Sequence, residues 1–514
     1  MARPRSLWPF AGLVAGVAGL LVSYAVAAAL AIREAPVPAI AETVIQVTPG
    51  NVAETAIRFL QRYDKPFLVV MVVLISLVLF AVVGAWSRRR WWLALAAYVV
   101  LAALAAAAVL TRAGTGVTDL LPVAAGFVTW VVVLMALTEP LRRAEAVVDS
   151  EESGPTLLAS TRRQLVVRGL LFGGAAAAVA VGGRFLGRGR RQVEASRSLL
   201  RLDGVSRPRM PVGANIGVEG LSGWATSSHD FYRIDTAIVT PTITPADWTL
   251  RIHGLVDREL VLTYEDLIAR GLTDAWVTLN CVSNPVGGDL VGNAWWSGVL
   301  IRSLLAEVGV HPDADAVLQT SDDGWTCGTP LAALTDPDRN AMLAVAMNGE
   351  PLPIDHGFPV RTIVPGLYGY VSATKWVREY EVTRFSDITA YWTQRGWGER
   401  GPVKMASRID VPQQGSTVAA GSVQVGGFAW LQHTGISAVQ VSLDGGSWTG
   451  VDLGRVPNAD TWVQWAGTLD VAPGDHVLRV RAIDENGEVQ TSVVRDVLPD
   501  GATGLDGIAF TAKT

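Results

Sequence analysis

The chain has 514 residues and a net charge of −5, from 47 acidic and 42 basic side chains. At about 100–200 residues per domain this length holds two or three domains, and the mild charge, without a basic stripe of interleaved aromatics, excludes nucleic acid as a partner. Half of the residues are hydrophobic and the mean hydropathy is +0.32, high for a wholly water-soluble protein.

The apolar excess is concentrated at the front. Leu7 to Ile32, Pro66 to Trp86, Trp91 to Leu110 and Thr118 to Leu137 are nearly uncharged runs. Each has about 20 residues, enough to cross a hydrocarbon core of about 30 Å. Any one alone would also suit a buried soluble helix; four in succession with short polar connections predict a membrane bundle of four transmembrane helices over 1–140. Arg3 and Arg5 precede the first run, Arg88, Arg89 and Arg90 separate the second from the third, and Arg142, Arg143, Arg162 and Arg163 follow the fourth. This alternation predicts a cytoplasmic N-terminus. The polar stretch from Glu139 to about Ser160 reads as a linker around Gly154-Pro155.

Residues 141–192 are therefore expected to hold a cytoplasmic linker and a fifth hydrophobic segment. The latter, STRRQLVVRGLLFGGAAAAVAVGGRF at 160–185, resembles a twin-arginine export signal, with Arg162-Arg163 ahead of an apolar stretch of about 15 residues, short for a span. The plainer alternative is a short amphipathic or re-entrant helix. Arg184, Arg188, Arg190 and Arg191 follow, which the positive-inside trend disfavours on the outer face. A route that exports folded, cofactor-loaded domains removes that conflict. Everything after about residue 190 is expected to be extracytoplasmic, in a multi-pass protein of the cell membrane.

From Trp248 onward the pattern changes to short strands and brief helices. WTLRIHGLV alternates like a half-buried strand, ELVLTYEDLIARG runs from strand into a helix ended by Gly271, and WSGVLIRSLLAEVGV repeats apolar residues at helical spacing. Without sustained βαβ alternation the fold class is α+β. No GxxxxGK[ST] loop occurs, which argues against P-loop chemistry. A boundary near MASRIDVPQQG divides 193–404 from 405–514. Beyond it, hairpin signals at Asp444-Gly445-Gly446 and Asn486-Gly487 predict an all-β, immunoglobulin-like sandwich whose role is packing or dimerisation.

The only cysteines are Cys281 and Cys327. They suit either a disulfide in an oxidising compartment or a free thiol for metal ligation or nucleophilic chemistry. The stretches TLNCVSN, WWSGVLIRSLLAEVG, AMNGEPLPIDHGFPVRTIVPGLYGYVSATKW, YWTQRGW and AWLQHTGISAVQVSLDGGSW together resemble the sulfite oxidase family, in family order. Arg233 to Lys404 is similar to its molybdopterin-binding catalytic domain, and the tail from about Arg408 to its dimerisation domain. The resemblance implies a molybdenum–molybdopterin cofactor with Cys281 as the metal's thiolate ligand. A soft thiolate suits a high-valent molybdenum beside the dithiolene sulfurs of the pterin. A Cys281–Cys327 disulfide would consume that ligand, so the two readings exclude each other.

The resemblance further implies that His356, Arg361 and Lys375 form a cofactor wall, with Arg361 meeting phosphate through its guanidinium fork. Asn284 fits the family pattern beside the cysteine, and Asp322 or Asp323 is a further pterin contact. Arg233 matches an arginine near the metal and its oxyanion, although Asp235 stands where the family usually has histidine. Tyr391 sits where an active-site tyrosine is expected, a packed aromatic being the plainer role. Pro285, Val286 and Gly287 follow Asn284 where sulfite oxidases carry basic residues, and a sulfite pocket needs several cations. The substrate is thus a small oxyanion or an S- or N-oxide.

No CxxCH occurs and no histidine precedes His229, so no haem is expected and electrons pass to a separate partner. The expected enzyme is a membrane-anchored molybdenum oxidoreductase that transfers an oxygen atom together with two electrons, with a homodimer as its candidate assembly. The alternatives are an S- or N-oxide reductase of the same family and a non-catalytic surface protein that kept the fold for binding.

Overall fold

The computed structural model describes residues 7–30, 32, 35–49, 52, 60, 64–111, 116–148, 163–164, 167–179 and 189–514. Arg3, Arg5, Arg162, Arg184 and Arg188 lie outside the described residues. The chain forms two compact units, Met1–Gln192 with Ala237–Pro241, and Val193–Thr236 with Thr242–Thr514.

Among its described residues the first unit holds four helices long and apolar enough to cross a membrane: Leu7–Ala29, Lys65–Arg89, Trp91–Leu110 and Val117–Arg143. The first is the axis of the packing. Gly12 and Gly84 meet backbone to backbone, and Gly16 lies under the Phe80 ring, so a side chain at any of the three would overlap its neighbour. Small residues at such a crossing let the two helix backbones approach closely. The indole of Trp130 donates to Gly16 O at 3.0 Å. On the opposite faces Leu74, Ile75 and Val78 are half or more exposed.

Two features depart from the sequence reading. The linker expected from Glu139 begins inside a helix, because Leu121–Val148 continues through Pro140. Its last turns are held by Glu145, which accepts from Trp8 Nε1 at 3.1 Å and from Arg88 Nε at 2.8 Å. A further helix, Pro36–Val47, opens with proline at a position where a missing N–H costs nothing. The fifth hydrophobic segment forms the apolar helix Val167–Val179, shorter than a span.

In the second unit two sheets build the region that precedes residue 404. One has the strands β1 (Thr249–Gly254), β2 (Leu260–Thr263), β5 (Ala316–Ser321), β6 (Thr326–Pro330) and β10 (Val377–Thr383), in the order β2-β1-β10-β5-β6. Only the β1–β10 pairing is parallel. The other has β3 (Thr273–Asn280), β4 (Val291–Leu300), β7 (Met342–Met347) and β8 (Glu350–Pro351) in sequence order, with β9 (Arg361–Ile363) beside β7. All ten residues of β4 except Leu300 are buried, which is why its run reads as nearly continuous apolar sequence. The helix Ile301–Val308 follows β4 directly and buries Ile301, Leu304, Leu305 and Val308, the spacing anticipated from sequence.

The C-terminal region is β-rich. Its strands are β11 (Ala406–Val411), β12 (Thr417–Ala419), β13 (Gly421–Trp430), β14 (Ile436–Leu443), β15 (Thr449–Leu453), β16 (Val463–Val471), β17 (Gly474–Asp484) and β18 (Gly507–Lys513). They pair in the order β11-β13-β16-β15-β14-β17-β18-β12. The β14–β15 turn has Asp444 at φ 53° and Gly445 at φ 73°, the left-handed pair that a tight hairpin requires. The second expected hairpin forms a single bridge, Ile483 to Val489, because the Gln490 side chain accepts from Ala482 N and continues the pairing in place of a strand. Trp224 and Trp462 donate their indoles to each other's carbonyls at 3.2 and 2.7 Å, fastening the segment before β1 to the C-terminal strands.

Candidate active site

Cys281 is the first residue after β3, at the mouth of the β3–β4 hairpin. Its N–H donates to Leu290 O across the loop, and its carbonyl accepts from Asn284 N. Asn284 Oδ1 accepts from Leu290 N at 2.9 Å, so this side chain closes the loop that carries the thiol. Asn284 lies along a smaller cavity behind the loop, with Asn280, Tyr368 and Trp430. Cys281 and Cys327 are both free and buried, so the disulfide alternative falls. Cys327 Sγ lies 3.2 Å from Thr374 Oγ1.

The thiol of Cys281 faces a pocket of about 850 Å³, counted to its open mouth. Burial pushes its pKa up, while the N–H and hydroxyl of Ser283 pull it back. Such a thiol stays protonated unless a metal takes the proton's place. The pocket also takes in Tyr232, Asp235, Arg361, Tyr370 and Lys375, with Trp325, Trp392 and Trp397.

Arg361 stands on β9 and is 4% exposed. It donates to His356 O at 3.1 Å and lies over the Trp296 ring at 5.1 Å. Its Nε is buried without a partner, and burial lowers its pKa to about 10. His356 lies 3.1 Å from Ser228 O through Nε2. A carbonyl only accepts, so Nε2 carries the hydrogen and Nδ1 is the acceptor; Nδ1 is buried without a partner. Burial, then the charges of Lys375 and Arg361, lower the His356 pKa to about 4, which keeps the ring neutral. Gly357, at φ 107°, lets this turn pass within van der Waals contact of Arg361 and Lys375, where a side chain would crowd both.

Lys375 Nζ donates to Asp235 Oδ2 at 2.9 Å and to Asp355 O at 3.1 Å. Burial lowers its pKa to about 8 against the opposing pull of Asp235. Arg233 donates to the same carboxylate at 3.0 Å and pairs with Asp355 at 3.4 Å. Asp235, read from sequence as a departure, is thus the shared partner of two cations. Of the acidic pair, Asp323 lines the pocket, whereas Asp322 accepts from Arg378 Nε at 2.9 Å.

Cys281, Arg361 and Lys375 are brought together in this pocket, with His356 packed behind them. Tyr391 is outside its wall: its ring lies 3.7 Å beneath the Arg395 guanidinium. Trp392 and Trp397 line the pocket instead. Sequence reasoning also missed Tyr232, whose phenol burial pushes upward in pKa, as does the neighbouring Cys281 sulfur. The hydroxyl of Tyr370 is taken by Gly398 O at 2.7 Å. The available signal was the density of aromatics in DFYRID and YWTQRGW, without a periodicity to say which ring faces inward.

Residues 237–392 match the family model described as the oxidoreductase molybdopterin binding domain. The mitochondrial sulfite oxidase of Homo sapiens is 28% identical over 305 residues, 50% of this chain and 56% of that protein. The uncharacterized oxidoreductase YuiH of Bacillus subtilis (strain 168) is 34% identical over 154 residues, 30% of this chain and 74% of that protein. Among solved structures, the sulfane dehydrogenase SoxCD from Paracoccus pantotrophus aligns with a TM-score of 0.50 at 22% identity, covering 63% of this chain and 92% of that one, a likeness of fold. The chain spans little more than half the length of the mammalian sulfite oxidase it matches.

Proposed function

Because the chain belongs to the molybdopterin-binding oxidoreductases of the sulfite oxidase family, we propose that it transfers an oxygen atom, together with two electrons, at the Cys281 pocket. The observation that carries this reading is a free thiol in the same pocket as a buried guanidinium whose Nε has no protein partner. A buried polar group left unsatisfied costs about 1–3 kcal/mol or more, so Arg361 suits a bound anion such as the phosphate of molybdopterin. Among the described residues no group of three or more His, Cys, Asp and Glu stands ready to hold an ion. This fits a metal that takes one protein ligand and the rest from an organic cofactor.

When bound, a molybdenum–molybdopterin cofactor supplies the two-electron redox change. The chain's residues do the rest. Cys281 provides the thiolate, its loop held by Asn284. Arg361 and Lys375 would hold anionic parts of the cofactor, and the unpartnered Nδ1 lone pair of His356 would accept a hydrogen bond from it. Tyr232, kept protonated by burial, offers a hydroxyl to the transferred oxygen. The pocket's aromatic walls exclude water.

The four apolar helices serve as a membrane bundle, with the N-terminus cytoplasmic and residues 193–404 extracytoplasmic after export through the twin-arginine-like segment within 141–192. Residues 405–514 form an immunoglobulin-like domain that serves dimerisation. The absence of any histidine before His229 favours a separate electron-transfer partner. The test is metal analysis with dye-coupled turnover of the purified full chain and its Cys281→Ser variant. The reading expects molybdenum in the wild type and turnover abolished in a folded variant; wild-type turnover in the variant would remove Cys281 from the site.

A further inference from the structure

The loop that carries Cys281 is held from two sides. Asn284 bridges it internally, its side chain accepting from Leu290 N and its N–H donating to the Cys281 carbonyl. The second hold comes from the C-terminal β-rich region, through one arginine. Arg408, on β11, donates from a terminal guanidinium nitrogen to Gly288 O at 3.2 Å. The other edge of the same guanidinium forms a fork on Asp410, with Nε at 2.7 Å and the second terminal nitrogen at 3.3 Å. The group lies over the Phe428 ring at 5.3 Å, and the Arg408 and Asp410 side chains are only 11% and 8% exposed. Asp410 is fixed in turn, accepting from Ser222 N at 3.1 Å. A fork on a carboxylate and an aromatic face fix the plane of a guanidinium, so its remaining edge is aimed at the loop.

The loop is shaped to receive this region. Gly287 has φ 74°, and a side chain there would collide with the Asp506 carboxylate; glycine alone meets both demands at no cost. Asp506 is tied to the strand of Arg408, accepting from Ile409 N at 2.8 Å. A side chain at Gly288 would collide with Asn284 Oδ1, so the residue that Arg408 holds packs directly on the amide that closes the loop. From Arg408 the path to the thiol runs through Gly288 and Asn284 to the backbone of Cys281. Arg408 itself stands outside the lining of the Cys281 pocket.

We propose that Arg408 is a positioning residue for the metal ligand: by holding Gly288 O it fixes where the Cys281 sulfur stands, so that the C-terminal region completes the metal site. This rests on the reading of the pocket as a molybdenum site. Residues that orient a metal ligand from behind are worth about 10–100-fold in metal affinity.

The test uses the purified full-length protein in detergent. Arg408→Met removes the donors and keeps the length of the side chain, and Arg408→Lys keeps one charged donor without the fork. Arg481→Met is the control: Arg481 belongs to the same β-rich region, on β17, but donates to Gln440 and lies over the Trp448 ring. Amide exchange across 281–290 should be about tenfold faster in Arg408→Met, the effect of losing one hydrogen bond from a charged donor. It should be intermediate in Arg408→Lys and unchanged in Arg481→Met. Molybdenum content should fall about tenfold in Arg408→Met, and the Mo(V) resonance of the retained metal, obtained by partial reduction with dithionite, should shift in g value. Gly287→Ala, which drives the loop off Asp506, should repeat these changes, and it carries the test if Arg408→Met does not fold. Exchange or resonance unchanged in Arg408→Met, or both changed equally in Arg481→Met, would overturn the assignment alone where the wild type holds molybdenum. A wild type without molybdenum would overturn the reading of the pocket and the assignment with it.

Discussion

Acid should unfold the catalytic region partly through one ring, that of His356. In the folded chain its pKa is held at about 4, against 6.5 for a free histidine, chiefly by burial and then by the charges of Lys375 and Arg361. Above pH 6.5 the ring is neutral in both folded and unfolded chains and contributes nothing to the pH dependence. Between 6.5 and 4 the unfolded chain takes up a proton that the folded chain refuses, so stability falls as the pH falls. At 1.36 kcal/mol per pH unit, the loss completed near pH 4 is about 3 kcal/mol. His356→Gln removes the titration while its amide can still donate to Ser228 O. The assay is denaturant unfolding of cofactor-free full-length chain in detergent, wild type against variant, from pH 7 to pH 4. Carboxylates common to both proteins cancel in the difference. The wild type should lose about 3 kcal/mol more than the variant over this range, and parallel pH profiles would refute the reasoning.

Other consequences follow from single contacts. Arg361→Ala should lower pterin retention on purification more than thermal stability, since its unpartnered Nε is the group that a bound anion would take; equal cofactor content in both proteins would contradict this. Gly12→Val should destabilise the packing of the first helix by about 1–3 kcal/mol, because its side chain would overlap Phe80 O and Gly84; the check is thermal unfolding in detergent. Replacing both Arg162 and Arg163 with lysine keeps the charge that orients spans and should still strand the catalytic region inside the cell. Protease accessibility in spheroplasts measures that, and equal accessibility would mean an ordinary span.

How much of this was legible in sequence depends on how far apart the cooperating residues lie. The loop bearing Cys281 was readable because two alternating or apolar runs flank it, and they pair in register from Thr273–Gly298 to Asn280–Val291. His356 and Arg361 were picked out by the family resemblance, and they belong to a single turn that Gly357 bends back, so one short stretch carries both. Asp235, Asp355 and Lys375 come from three distant segments, and only the folded chain reveals that one carboxylate serves both Arg233 and Lys375. YWTQRGW has no regular period, so nothing local distinguished Tyr391, stacked under Arg395, from Trp397 in the pocket wall. The helix that runs through Pro140 was missed for a related reason. Proline signals a stop locally, and the contacts of Trp8 and Arg88 with Glu145 override it from elsewhere in the chain.

The central claim, that Cys281 is the protein's ligand to a molybdenum held in this pocket, is tested most directly by X-ray absorption at the molybdenum edge. The spectra to compare are those of purified full-length wild type and Cys281→Ser. The account predicts molybdenum in the wild type, bound to sulfur, and one sulfur neighbour fewer in the variant, since a hard oxygen replaces a soft thiolate at that position. The same sulfur coordination in both proteins, or a wild type without molybdenum, would contradict it.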